Sequence, residues 1–419
     1  MNKKIKVAFL ADNYYPRFSP VAKCAYNIAE ELSNTYEVFV ITLDGKSLSL
    51  TTEEHNNQKI LRCSTPLLLE RKEIENNLTK SKVLKANLFF IRLKGYLKAI
   101  FSKINIDNEI VDSYYSALEI IKPEAIIPIC LPFEAVIAAL NYKQVNSNTI
   151  LVPFLFDRFT YNRSLQRNKV NLLIKRKAHV RLENSMLEYS DHILAMHQLR
   201  ENFNIVFSDN MNKITYVEHP LLKKNKNSHK TIDDGKTRLI YAGALYKNYR
   251  SPEYLLKVFT LIEGSYLLNF FSAGNCEEMI DKFSHRDKRI KKNGYVSVDV
   301  LDEEYSNADI LLSIGNFKSQ NLASKIFEYM SLGKPIIHFY ENPNDPVLNL
   351  LNKYPLSLTV EQKSEDIKLN ANRIQEFCTM NKGNIIGFDV VREKFIDATP
   401  EYISQTFIEI IERHNVREH

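Results

Sequence analysis

Gln320-Asn321-Leu322-Ala323-Ser324-Lys325-Ile326-Phe327-Glu328-Tyr329-Met330-Ser331-Leu332-Gly333-Lys334-Pro335-Ile336-Ile337 reads as a helix running into a strand. Asn321 is a capping residue type, and Ile326, Met330 and Gly333 then fall about one turn apart on a shared face. Gly333 and Pro335 stop the helix, and Pro335-Ile336-Ile337-His338-Phe339 is apolar enough for the following strand. Lys325 and Glu328 stand three residues apart in the early turns. A helix start attracts anions, Lys325 adds a positive charge, and a carboxylate binds sugar hydroxyls. A ligand made of phosphate and ribose suits those groups. The plain alternative is an exposed i,i+3 ion pair.

Upstream the chain alternates strand and helix. Lys6–Ala11, a helix over 20–32, and Glu37–Thr42 form a right-handed parallel crossover. Further strands are expected over 125–130, 149–154, 192–196 and 214–217, with a long helix over 170–189. Residues 223–235 are polar, have little to bury and read as a linker. Strands then resume at 238–242, 266–271, 289–293, 310–313 and 335–339. The expected fold is α/β, two doubly wound parallel-sheet (Rossmann-like) domains facing across a cleft. The expected division is 1–221 for an N-terminal domain, 222–236 for the linker and 237–395 for a C-terminal domain. Residues 396–419 form a last helix expected to pack back on the N-terminal domain.

Composition narrows the class. The 419 residues are 44% hydrophobic and 25% charged, as in globular proteins of two ordinary domains. No apolar run reaches the ~18 residues of a spanning helix, and the apolar stretch before Asp12 is too short for a signal sequence. The five cysteines show no CxxC spacing, which disfavours zinc and disulfides and fits a reducing cytoplasm. Of 56 Lys+Arg and 50 Asp+Glu, residues 1–220 hold 29 and 23, leaving 27 of each, so the net charge of +6 sits in the first half. It concentrates in two stretches without acid: 76–106 with seven basic residues and 158–182 with eight. An anionic partner follows. The first stretch interleaves lysines with Leu84, Leu88, Phe89, Phe90, Leu93, Leu97 and Phe101, as a basic amphipathic helix on an anionic membrane surface does. The alternative is a helix packed on the core with a basic outer face. No nucleic-acid module accompanies the charge.

Nine of the eleven glycines follow residue 234. Close backbone approach to a diphosphate needs glycine, so a nucleotide belongs to the second half. Each half opens alike, Arg17-Phe18-Ser19-Pro20 matching Arg250-Ser251-Pro252, with Ser at the cap, Pro at the first helical position and an arginine just before. No DxD occurs, so no metal held by paired carboxylates is expected.

The stretch Ser324–Ile336 resembles the donor-binding segment of GT-B glycosyltransferases, specifically the retaining group 1 (family 4-like) type. Arg250-Ser251-Pro252-Glu253-Tyr254-Leu255-Leu256-Lys257 is similar to the segment that sets a basic side chain against the donor diphosphate. Gly274 resembles the glycine after the family's next strand, and Gly294-Tyr295 the turn beside the base. The resemblance covers the second half well and the first half loosely. It implies transfer of a hexose from a nucleotide-diphosphate sugar, expected to be a UDP-sugar, to a glycan or lipid-linked acceptor with retention. It implies an acceptor-binding domain over 1–221 and a nucleotide-sugar-binding domain over 237–395, with Arg250 and Lys325 as catalytic groups. Asp157 joins them on its place at a strand end of the first half, not on the resemblance. Gly243, Lys247, Gly274, Gly294, Tyr295, Gln320, Asn321, Leu322, Ala323, Ser324 and Glu328 would bind the donor, with Arg17 and Ser19 on the acceptor side. No cofactor is implied. The low glycine content, absent tryptophan and abundant Asn, Lys and Ile suggest an AT-rich bacterial source. Surface-polysaccharide assembly is the expected setting there, by analogy alone. The expected location is the cytoplasm, peripheral to the inner face of the cell membrane.

Departures define two alternatives. Gln320 replaces the first of two usual glutamates, and Gly243-Ala244-Leu245 lacks the usual arginine, for which Lys247 is the candidate substitute. No histidine follows Cys130-Leu131-Pro132, so Asp157 is the nearest polar group after that strand region, either orienting an acceptor hydroxyl or simply solvated in a loop. A non-catalytic GT-B subunit binding a partner glycosyltransferase or glycan is one alternative. A nucleotide-sugar epimerase on the same fold is the other.

Overall fold

The computed structural model describes residues 4–16, 18–77, 82–104, 106–160, 169–200, 203, 212–224, 234–317 and 322–415. Two compact units divide the chain: residues 1–220 with 400–419, and residues 221–399.

The first unit runs β1 (Lys6–Ala11), α1 (Pro20–Leu32), β2 (Glu37–Thr42), β3 (Thr51–His55), β4 (Gln58–Arg62), α2 (Pro66–Asn77), α3 (Lys82–Phe101), α4 (Asn108–Ile121), β5 (Ala125–Cys130), α5 (Phe133–Val145), β6 (Ile150–Leu151), β7 (Phe154–Leu155), α6 (Lys169–Tyr189), β8 (Ile193–Met196) and β9 (Ile214–Val217). Its sheet is ordered β3-β4-β2-β1-β5-β7-β8-β9, with β6 also on β5. Every pairing is parallel except β3 with β4. β1 and β5 are buried almost throughout, as strands covered on both faces must be. The strand expected over 149–154 is split into β6 and β7, because Pro153 has no N–H to donate to a ladder.

The second unit runs β10 (Thr237–Leu245), α7 (Glu253–Phe259), β11 (Tyr266–Gly274), α8 (Glu277–Arg286), β12 (Ile290–Lys292), α9 (Val298–Asn307), β13 (Ile310–Ile314), α10 (Lys325–Ser331), β14 (Ile336–Tyr340), α11 (Pro346–Leu351), β15 (Ser357–Glu361), α12 (Ile367–Asn381) and α13 (Phe388–Lys394). All six strands are parallel, in the order β12-β11-β10-β13-β14-β15. Leu239, Tyr241, Leu268, Phe270, Leu312 and Ile337 lie at the centre of its core. The chain winds outward from β10 in one direction, then returns to place β13 on the other side of β10. That reversal between β10 and β13 is a topological switch point, and the strand ends there leave a crevice where ligands bind in this fold class.

α14 (Pro400–Asn415) returns to the first unit. Its buried face, Ile403, Phe407, Ile410 and Ile411, packs along α1, and Phe407 meets Phe154 edge-on at 5.7 Å.

Candidate functional site

The site residues of the second unit gather at the carboxyl ends of its strands. After β10 the chain closes a tight loop in which Arg250 N–H donates to the Tyr246 carbonyl at 2.8 Å and Tyr246 N–H to that of Arg250 at 3.0 Å. The loop fixes where Arg250 starts, and its guanidinium donates from Nη2 at 2.7 Å and from Nε at 3.1 Å to Asn316 Oδ1. Asn316 follows β13 by two residues, and Phe317 N–H donates to the Tyr249 carbonyl at 2.9 Å. Arg250 thus spans the ends of β10 and β13, at the switch point. The Tyr241 hydroxyl lies close enough that, although burial raises its pKa, the guanidinium draws it back.

Helix α10 is tied to the same strand end. The buried Tyr329 hydroxyl accepts from Ala242 N–H at 3.1 Å and donates to the Ala242 carbonyl at 3.2 Å. Tyr305 packs edge-on against Tyr329 at 5.6 Å. Burial, with Glu328 nearby, holds both phenols protonated. Lys325 Nζ lies 5.7 Å from the centre of the Tyr305 ring, a cation–π distance. Lys325 and Glu328 are about one-third exposed and meet each other at 3.4 Å. The ion pair their spacing allowed is therefore formed, but at that exposure it contributes little and leaves both groups reachable.

One expectation is corrected. The helix starts at Lys325, with Ser324 rather than Asn321 at the cap position and no capping side-chain bond. Leu322, Ala323 and Ser324 form the turn that enters it, the carbonyls of the latter two accepting from Ile326 and Phe327 N–H. Gln320 and Asn321 lie outside the described residues. A smaller correction concerns α7, which starts at Glu253 with Pro252 at the cap, while the Ser251 hydroxyl accepts from Glu253 N–H at 3.3 Å.

Gly274 ends β11 with φ +125°, and a Cβ there would sit 2.0 Å from the Leu245 carbonyl oxygen. The strand ends β10 and β11 touch backbone to backbone at this point, which only glycine permits. Gly243 lies two residues before the end of β10. Lys247 follows it, its N–H bonded to Asn275 Oδ1 at 2.9 Å and its charge near the buried Cys276 thiol. Gly294 and the exposed Tyr295 follow β12 on the same edge.

Ser19 and Asp157 belong to the first unit. Ser19 caps α1, accepting from Ala22 N–H at 3.1 Å and donating to Asp12 Oδ1 at 2.7 Å. Asp157 follows β7 by two residues; burial raises its carboxyl pKa and the nearby His219 lowers it. Arg17 lies outside the described residues. Sequence reasoning missed Asn316, Tyr305 and Tyr329, which orient the others. Among the described residues no group of three His, Cys, Asp or Glu side chains is placed to hold a metal.

Residues 236–348 match the family model for glycosyl transferases, group 1. The fold is that of GT-B glycosyltransferases. It is similar to the lipopolysaccharide outer core galactosyltransferase WaaB in its apo form, at 14% identity over 98% of this chain and 99% of that one, with a TM-score of 0.56. It is also similar to an E. coli structure described as trehalose-6-phosphate bound with UDP-2-fluoro glucose, at 9% identity over 97% and 98% and a TM-score of 0.59. UDP-GlcNAc 2-epimerase from Methanocaldococcus jannaschii aligns at 14% identity over 97% and 100%, with a TM-score of 0.55. No curated protein matches the chain by sequence.

Proposed function

Taking this chain as a glycosyltransferase of the GT-B fold, on the family match over residues 236–348, we propose that it moves a hexose from a UDP-sugar to a glycan or lipid-linked acceptor with retention of configuration. The observation that carries the reading is the bond from Arg250 to Asn316 across the switch point, with α10 tied to the same strand end through Tyr329. The guanidinium fork suits a diphosphate, and Lys325 adds a second cation. Glu328 bonds the ribose hydroxyls, the turn 322–324 and Gly243 line the diphosphate, and Tyr295 lies against the base. Asp157, its carboxyl raised toward holding a proton, orients an acceptor hydroxyl. We set the reaction, with such an acceptor, in surface-polysaccharide assembly on the cytoplasmic side of a membrane.

Titration with UDP tests the donor site. Glu328→Ala and Lys325→Ala should each weaken UDP binding by ~1–3 kcal/mol, the loss typical of hydrogen bonds to charged groups. Unchanged affinity in both variants would sink the assignment. Because fixed cations meet the leaving diphosphate, turnover should also survive EDTA. Abolition by EDTA with recovery on added Mg²⁺ or Mn²⁺ would show a metal doing their work.

The alternative, a non-catalytic subunit, draws on Ala244, where the family's usual arginine is missing. It predicts UDP-sugar binding without release of UDP on any acceptor. An epimerase on this fold would instead interconvert free UDP-sugars.

A further inference from the structure

Helix α3 carries Phe89, Phe90, Leu93, Tyr96, Leu97 and Phe101 on one broad face, the stripe that a helix of a water-surrounded protein turns to its core. Here the stripe faces outward: Phe90 is 63% exposed, Leu97 44% and Phe101 82%. The alternative, a helix packed on the core by its apolar face, fails at each of these positions. Helix α6 begins the same way. Val170, Leu173 and Ile174 share a face and are 65%, 69% and 75% exposed, with the exposed Lys177 and Arg181 one and two turns further along it. The two stretches adjoin, since Lys175 Nζ of α6 donates to Ser102 Oγ, just past α3, at 3.1 Å.

We propose that α3 and the first turns of α6 form one surface that docks on an anionic lipid bilayer. The aromatic and aliphatic side chains enter the headgroup boundary, and the basic residues beside them meet lipid phosphates. Charge argues for this occupant. Residues 76–106 and 158–182 hold no acid, and among the described residues Lys94, Lys103, Arg176, Lys177 and Arg181 are exposed cations on or next to the two helices, which a negative surface matches. Nucleic acid would meet the same charge without needing exposed phenylalanine and leucine beside it. Exposed apolar patches of this kind are rare on monomers and mark interaction sites. Among the described residues no helix is long and apolar enough to cross a membrane, so the surface lies on the bilayer. The proposal is independent of the donor assignment, whose residues belong to the other unit.

The experiment uses the full chain with vesicles of phosphatidylcholine alone and of phosphatidylcholine mixed with phosphatidylglycerol. The protein should sediment with the mixed vesicles at low salt, be released as salt rises, and bind the neutral ones weakly. Phe90→Ser with Phe101→Ser keeps every charge and should lower the partition by about tenfold or more. Lys94→Glu with Lys103→Glu should abolish it. UDP affinity, measured on each variant, should stay unchanged, and an unchanged denaturant midpoint reports that the unit carrying α3 still folds. Equal partition into both vesicle types, no binding to either, or undiminished binding of the Phe→Ser pair overturns the proposal. A failure here with UDP binding intact leaves the donor site standing.

Discussion

Arg250→Ala should cut UDP release from a UDP-sugar by about 100- to 1,000-fold, the effect of removing one preorganised donor from a developing anion. The side chain is held before any ligand arrives, since both guanidinium bonds end on Asn316 Oδ1. Its charge is therefore aimed without further ordering. Arg250→Lys separates charge from geometry: it retains the cation but loses the planar fork, and should recover only part of the loss. Asn316→Ala should have a smaller effect in the same direction, because the arginine remains but is no longer aimed. Full activity in Arg250→Ala would remove the guanidinium from the mechanism.

Gly274→Ala should destabilise the second unit by ~3–5 kcal/mol, near the upper end for single substitutions. Two independent costs add. The new Cβ would stand 2.0 Å from the Leu245 carbonyl oxygen, a backbone atom that moves only with β10, and φ is +125°. Gly294→Ala supplies the comparison, with φ +71° but nothing within 4 Å of the added carbon. Only the backbone term then remains, ~1 kcal/mol. Denaturant midpoints of the two variants measure the difference. A shift of under about 1 kcal/mol for Gly274→Ala would mean the strand ends are not in contact.

Where a strand is an apolar run flanked by turn residues, the sequence is enough to find it. β2, β5 and β9 end where their side chains change character, and α1 starts at its Ser-Pro pair. β3 was invisible because Thr51-Thr52-Glu53-Glu54-His55 is an exposed edge strand held through its neighbour, not by burial. β15, at the edge of the other sheet, is half buried and was missed for a similar reason. Within the candidate site, Arg250, Lys325, Glu328 and the glycines are candidates that residue type alone makes legible. Asn316 and Tyr329 are not. Their roles arise from the parallel pairing of β10 with β13, which brings Tyr329 to Ala242 from 87 residues away.

The return of α14 to the first unit has a consequence for the order in which the chain matures. The second unit is built wholly from residues 221–399 and needs nothing from α14, so it can close its core before α14 docks on α1. The first unit waits, with the α1 face that receives Phe407 and Ile411 still wetted, until residues 400–415 fold onto it. A chain cut after residue 399 would then hold one finished lobe and one with an open apolar seam, the species a chaperone would recognise.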